Sequence, residues 1–382
     1  MSETQTVDDL FPSLSLFPDD HRGRPWPTMA MISARVMELR RRRGLMITLI
    51  AVNIGIPALY LGIRIVMHLV SPRSYGPAGG FDSFTNLVAG VMFVFGFIVA
   101  ATLGCTAGSV DLTEGVFRHS VVTGRSRVAL YLARIPAGLA ILVPIVAAGF
   151  ILVCAVCVFA APTTLNYQGV RVPVGLDRAQ FVTWAQQNAS TVDCQFPYNL
   201  STPPTFTPAC GPFGGGGVTI TKGGVSLKPA TPAQMKALAV QVANQDYQDY
   251  HQTFLSPPLK LMIQSGLWLE LEAIIGFVVG LGLASLMGSR TVPIVLMIIL
   301  EIVLTPILAT VRIPHLLNVQ RGVVGLATAH LEPNGLPRVF GGHGPGAGGI
   351  IPESTTVAVI VIVGWLIVWT ALGAWRMATR DA

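Results

Sequence analysis

Three carboxylates stand where this sequence is otherwise apolar: Glu301 in "LMIILEIVLTP", and Glu270 and Glu272 in "LWLELEAII". A carboxyl group is costly in hydrocarbon, so Glu301 is expected to face protein or a wet cavity. It then either lines a transport pathway or keeps its proton and hydrogen-bonds a neighbouring helix. Glu270 and Glu272, two apart on a helix, point to different faces and make a poor acid–base pair. Nearer the outer surface, they are expected to line a wet external vestibule. No nucleophile–base pair and no H-E-x-x-H motif falls on an apolar run, which argues against an intramembrane hydrolase. His315 and His343 lack partners at metal-ligand spacing, so no metal site is expected. Cys154-x-x-Cys157 has redox spacing, but within an apolar run these are small core side chains. The phosphate-loop pattern G-x-x-x-x-G-K-[ST] is absent, and "GGGGVTITKGG" (214–224) has neither its spacing nor its context. The chain is therefore expected to have no nucleotide or other cofactor site of its own.

The elements that must position these residues are membrane spans. Hydrophobic residues make up 52% of the 382 residues and charged residues 12%, about half the charge of a soluble domain. Six runs are long enough to cross hydrocarbon as helices: roughly 45–67, 84–105, 129–160, 261–287, 292–311 and 355–375. The fold class is thus an all-α polytopic membrane protein with six transmembrane helices. Arginine placement orients it. One side holds Arg22, Arg24, Arg35, Arg40 to Arg43, Arg118, Arg125, Arg127, Arg290, Arg376 and Arg380; the other holds Arg73, Arg312, Arg321 and Arg338. Both termini are therefore expected in the cytoplasm, with the chain in the cell membrane. The net charge of +6 reflects this bias, and no basic run interleaved with aromatics points to nucleic acid.

Residues 1–27 read as a disordered cytoplasmic tail. The segment "TMAMISARVMELRRRR" (28–43) carries Met29, Ile32, Val36 and Leu39 at helical spacing, with Arg35, Glu38, Arg41 and Arg42 opposite. That pattern predicts a helix in the membrane interface, its basic end (Glu38, Arg40, Arg41, Arg42, Arg43) turned to water and lipid headgroups. Span 1 carries Arg64, placed to snorkel outward. Span 3 is long, and its first turns, with Arg134, are expected to protrude or kink. Residues 28–160 thus hold the interfacial helix and spans 1–3. Residues 161–260 form an extracytoplasmic insertion between spans 3 and 4. It has helical patterns from Asp177 and from Thr231-Pro232, a turn-rich middle with a short hairpin, and Cys194 and Cys210, expected to form a disulfide outside the cell. Residues 261–382 hold spans 4–6, with the apolar segment 314–333 too short to cross and expected to dip into the outer leaflet.

One charged segment, "DLTEGVFRHSVVTGRSR" (111–127), sits between spans 2 and 3. Asp111 and Glu114 suit the first turn of a short helix over 111–124, Phe117 belongs to its apolar stripe, Gly124 ends it, and Ser126 can cap span 3. A helix held at both ends by spans converts a push from a cytoplasmic partner into span motion. This order resembles the permease subunit of type 2 ATP-binding-cassette exporters in the form common in actinobacteria: basic interfacial helix, two spans, "D-x-x-E-G-x-x-R…TGRSR", and four more spans with a tight inner turn between the fourth and fifth. The resemblance covers nearly the whole chain in topology, and its specific motifs lie around Glu38–Arg43 and at 111–127. It implies that Asp111, Glu114, Gly115, Phe117, Arg118, Gly124, Arg125, Ser126 and Arg127 couple to a separate ATPase subunit that binds ATP and Mg. It also implies a second permease chain, identical or a sibling, and an amphipathic or polymeric cargo. Relatives carry a short loop where this chain has 161–260. A receptor or sensor whose external 161–260 subdomain binds a ligand is the competing expectation.

Overall fold

The computed structural model describes residues 26–71, 78–113, 126–161, 164–167, 170–188, 219–221, 224–226, 256–310, 314–336 and 353–379, with Lys236, Val240, Ala243, Asn244, Tyr247 and Tyr250. Six of its helices are long and apolar enough to cross a membrane: Arg43–Val70, Phe81–Val110, Arg127–Phe159, Leu259–Met287, Thr291–Ala309 and Thr355–Thr379, here spans 1 to 6. Long apolar runs give long helices here even where a proline falls inside, as Pro144 does in span 3. These are the features of a multi-pass membrane protein. The cell-membrane location, the disulfide and the direction of the termini remain expectations.

Spans 2 and 4 form the centre. Of the most apolar stretch of span 4, 78% is buried, against 17% in span 6. Small residues four apart on both helices allow this: Gly104 and Gly108 of span 2 lie against Phe277, Leu281 and Ala284 of span 4, and Gly276 and Gly280 of span 4 lie against Phe97 and Ala101 of span 2. A Cβ on Gly280 would lie 2.8 Å from the Ala101 carbonyl oxygen, and one on Gly104 would overlap the Phe277 carbonyl. In lipid, where apolar surface alone draws no helices together, such backbone proximity is the main source of association. Span 4 ends at Gly288, whose φ of +67° and N–H bond to Ala284 O at 2.9 Å close the helix and turn it into span 5.

The bundle has two ends. At the insertion end Phe84, Leu87, Met92, Phe150, Leu269 and Leu326 share a core, and the Phe93 and Trp268 rings stack at 4.9 Å. Arg64 is half-buried there, and its guanidinium donates to Ser83 Oγ at the start of span 2 at 3.3 Å. At the basic end Leu39, Leu49, Tyr131, Leu281 and Met377 pack together. Helix α1 (Met29–Arg41) is capped by Thr28 and breaks at Arg42 before span 1. Its inner face differs from the expected stripe. Met31 and Leu39 are buried while Met29 is 82% exposed, because α1 packs Met31 and Ile32 on Ala129, Leu130 and Ala133 of span 3. Arg35 and Glu38 therefore leave the water face and pair at 2.6 Å, half-buried; Arg42 is half-buried too, and Arg40, Arg41 and Arg43 stay exposed.

Within the insertion, strands β1 (Thr164–Tyr167) and β2 (Val170–Pro173) form one antiparallel hairpin and β3 (Thr219–Thr221) and β4 (Gly224–Ser226) another. Helix α2 (Arg178–Gln187) starts at a capping box made by Asp177 and Gln180. Phe181, Ala185, Ala243 and Tyr250 make a separate small core, with the Phe181 and Tyr250 rings stacked at 4.2 Å. The Tyr250 hydroxyl donates to Pro173 O, and burial pushes that phenol's pKa upward, opposed by its backbone hydrogen bonds. Cys194 and Cys210 lie outside the described residues, as do 1–25.

Candidate functional site: a buried carboxyl pair under a short buried helix

After span 5 the chain turns through α3 (Leu317–Arg321) and enters α4 (Val324–His330), in which Val324 to Ala329 are all buried. Seven residues cannot cross hydrocarbon. Helix α4 instead packs, buried, against the spans. Its backbone is held from both sides: Trp268 Nε1 of span 4 donates to Thr328 O at 3.1 Å, and Trp365 Nε1 of span 6 donates to Gly322 O at 2.8 Å. Val324 and Ala327 pack with Ala358 and Ile362 of span 6.

Beneath α4 sit two carboxyl groups, Glu272 of span 4 and Glu301 of span 5, each 2% exposed. Glu301 lies in a widened π-helical turn, Ile299–Leu304, a distortion that often marks functional positions. Gly325 lies directly over it: a Cβ there would sit 2.6 Å from both Glu301 carboxyl oxygens and 2.6 Å from Thr305 Oγ1. Only glycine lets α4 approach so closely. Thr305 hydrogen-bonds Glu301 and Thr328 of α4 hydrogen-bonds Glu272. One oxygen of each carboxyl is buried with no hydrogen-bond partner. Glu272 does not line a wet vestibule, because α4 covers it. It borders a small enclosed cavity of about 10 Å³ with Phe93, Phe97, Val146 and Ala273. Glu270 goes elsewhere: half-buried, its carboxyl lies against the Ala147 backbone of span 3.

Above this site a cavity of about 660 Å³ opens at the insertion end, lined by Lys260, Gln264, Trp268, His330, Glu332 and Thr355 among others. Glu353, just before span 6, is close enough to His330 and Arg321 for both to favour its ionised form. Burial outweighs them and raises its pKa above the ordinary carboxylate value. Among the described residues no group of three or more His, Cys, Asp or Glu could hold a metal ion.

No protein-family model, curated protein or solved structure matches this chain.

The second region of interest is the basic end. Span 2 stays helical through Thr113, so Asp111 continues that helix and does not open a new one. No proline or left-handed glycine interrupts 109–113, and the Ser109 hydroxyl bonds Cys105 O at 2.8 Å within the helix. Glu114, Gly115, Phe117, Arg118, Gly124 and Arg125 lie outside the described residues. Ser126 occupies the cap position of span 3 without a side-chain capping bond, and Arg127 Nη1 donates to Ala378 O at 3.5 Å. Arg134 does not protrude. It is 2% exposed, placed where span 3 bends at Ala133, and its Nη1 donates to Gly108 O at 3.0 Å. Ser285 of span 4 donates to Leu281 O at 2.8 Å and lies 3.4 Å from the same Gly108 oxygen. Arg35, Glu38 and Arg134 border one small cavity.

Asn53 was a polar signal in span 1 to which sequence reasoning gave no role. It is buried in a second π-helical turn, Ala51–Gly55, and donates to Leu49 O at 3.0 Å. Span 3 passes against it at Gly149, where a Cβ would overlap the Asn53 carbonyl.

Proposed function

We propose that this chain is the membrane-spanning permease subunit of an ATP-driven exporter of the type 2 ABC class. It works with a separate ATPase that carries ATP and Mg, and with a second permease chain. The observation that carries this reading is the clamp on either side of residues 114–125. Span 2 before that segment and span 3 after it are joined by Arg134 on the Gly108 carbonyl, Ser285 brings span 4 to the same atom, and α1 packs on the start of span 3. A force applied to 114–125 thus reaches three spans and α1 through short, buried contacts. The arginine bias favours a cytoplasmic position for this end, where an ATPase would be. The exporter's cargo is amphipathic or polymeric, as the resemblance implies.

The test is affinity purification of the tagged chain from its own membranes in mild detergent. Stoichiometric recovery of an ABC ATPase and ATP hydrolysis by the complex is the expected result. Purification without any ATPase rejects the reading. The separate core of the insertion, built from Phe181, Ala185, Ala243 and Tyr250, favours one alternative, a receptor whose external part binds a ligand. Recovery of a signalling kinase in place of an ATPase would support that alternative.

A further inference from the structure

We propose that Glu272 and Glu301 form a proton-binding site beneath α4, and that loss of its protons releases this helix from spans 4 and 5. The site is defined by what surrounds the two carboxyls. Each is 98% buried by exposed area, each keeps one oxygen without a hydrogen-bond partner, and the electrostatic partners acting on Glu272 are Glu301 and Glu332, both acids. Among the described residues no cation acts on Glu301 either. The other charged and titratable groups of the described neighbouring elements lie elsewhere. Span 4 contributes Glu270, turned to span 3, and Lys260 at its outer end. Arg321 of α3 and His330 of α4 act on Glu353, and span 6 has no titratable side chain between Thr355 and Trp375. Span 2 brings only Phe93, Phe97 and other uncharged residues to the cavity.

Two adjacent carboxylates cannot both stay ionised in such a place, since like charges repel and neither is solvated. Among the described residues no third His, Cys, Asp or Glu joins the pair to hold a metal ion. A proton on each carboxyl neutralises the charge and supplies a donor for its unpartnered oxygen. The cavity of about 10 Å³ beside Glu272 has the size of about one water molecule, enough to accept that donor or relay the proton. The same two carboxyls are what α4 rests on, through Gly325 over Glu301 and Thr328 on Glu272. On release, each O–H bond breaks heterolytically, the proton passes to water at the insertion end, and two carboxylates remain. These repel one another and require water, which enters only if α4 lifts.

The proposal does not depend on the exporter reading, and its test needs no ATPase. The full chain in lipid nanodiscs is titrated by infrared spectroscopy in light and heavy water, and hydrogen exchange of the 324–330 segment is followed by mass spectrometry, corrected for the intrinsic pH dependence of amide exchange. The expected result is a deuterium-sensitive carboxylic-acid band at neutral pH, one component of which is lost in Glu272→Gln and another in Glu301→Gln. With it, α4 should lose protection at alkaline pH in wild type but keep it in the double Gln variant, whose amides mimic the protonated acids. Absence of the acid band in wild type at neutral pH overturns the site, whether or not the variants fold. Equal loss of α4 protection in wild type and the double variant overturns the release.

Discussion

Glu353 and Gly325 show how single residues set the behaviour of the insertion end. The folded state holds the Glu353 proton more tightly than the unfolded chain does, because burial outweighs the pull of His330 and Arg321. Stability must therefore fall as pH rises from the ordinary carboxylate range through the raised value. Unfolding midpoints measured across the acidic range should show this slope in wild type and a flatter one in Glu353→Gln; identical slopes would contradict it. Gly325→Ala is argued from contact alone. Its Cβ would be 2.6 Å from three oxygen atoms, so α4 or the Glu301 side chain must shift, at about 1–3 kcal/mol for overpacking. A thermal midpoint for Gly325→Ala equal to wild type would show that the helix moves freely. At this scale the sequence was half legible. The cost of Glu301 in an apolar run told that it must face protein, but nothing in one dimension paired it with a glycine twenty-four positions later.

At the scale of elements, the six spans were readable because length and hydropathy alone define them, and the observed bounds extend the expected ones mainly at the ends. Short apolar α4 was readable for the same reason, being too short to cross. What was not readable was which face of each helix meets protein. Helix α1 turned Arg35 and Glu38 inward because span 3 happens to start beside it, and Arg134 was buried because span 2 offers it the Gly108 carbonyl. Partners of that kind depend on tertiary packing, which periodicity does not encode. Glycine placement tests the packing of the central pair. Gly104→Ala forces a Cβ into the Phe277 carbonyl and should destabilise the bundle by about 1–3 kcal/mol, the usual cost of overpacking. Gly62→Ala has no atom within 4 Å and is exposed. It should be neutral or stabilise the helix by up to about 1 kcal/mol through propensity. Denaturant midpoints of the two variants in one detergent separate them, and equal loss in both would mean that span 2 does not depend on close approach to span 4.

For the whole molecule, the question is whether the two ends communicate, and the exporter reading makes that measurable. The clamp around Gly108 ties spans 2, 3 and 4 together at the basic end. Span 4 also carries Glu272 and Trp268, which hold α4 near the insertion end. Span 4 is thus a continuous helix from one region to the other, buried along most of its length. A push on residues 114–125 from an ATPase would therefore arrive at α4 by rigid-body movement of span 4 against its neighbours. Within that reading Glu114 and Arg118 are the charged contacts to the ATPase, and truncating one side of a desolvated pair costs roughly 2–5 kcal/mol. Reversing both (Glu114→Arg with Arg118→Glu) should release the ATPase or leave it bound and hydrolysing without export. The chain should remain folded and inserted, because charged side chains on a cytoplasmic segment are expected to face water before the ATPase docks. Arg134→Ala makes the complementary prediction: ATPase binding stays intact while export per ATP falls, since the partner still docks but the clamp that relays its movement is gone. Measuring copurified ATPase and export in the same membranes distinguishes the two variants. Wild-type export by both would mean that neither the segment nor the clamp transmits the work of ATP.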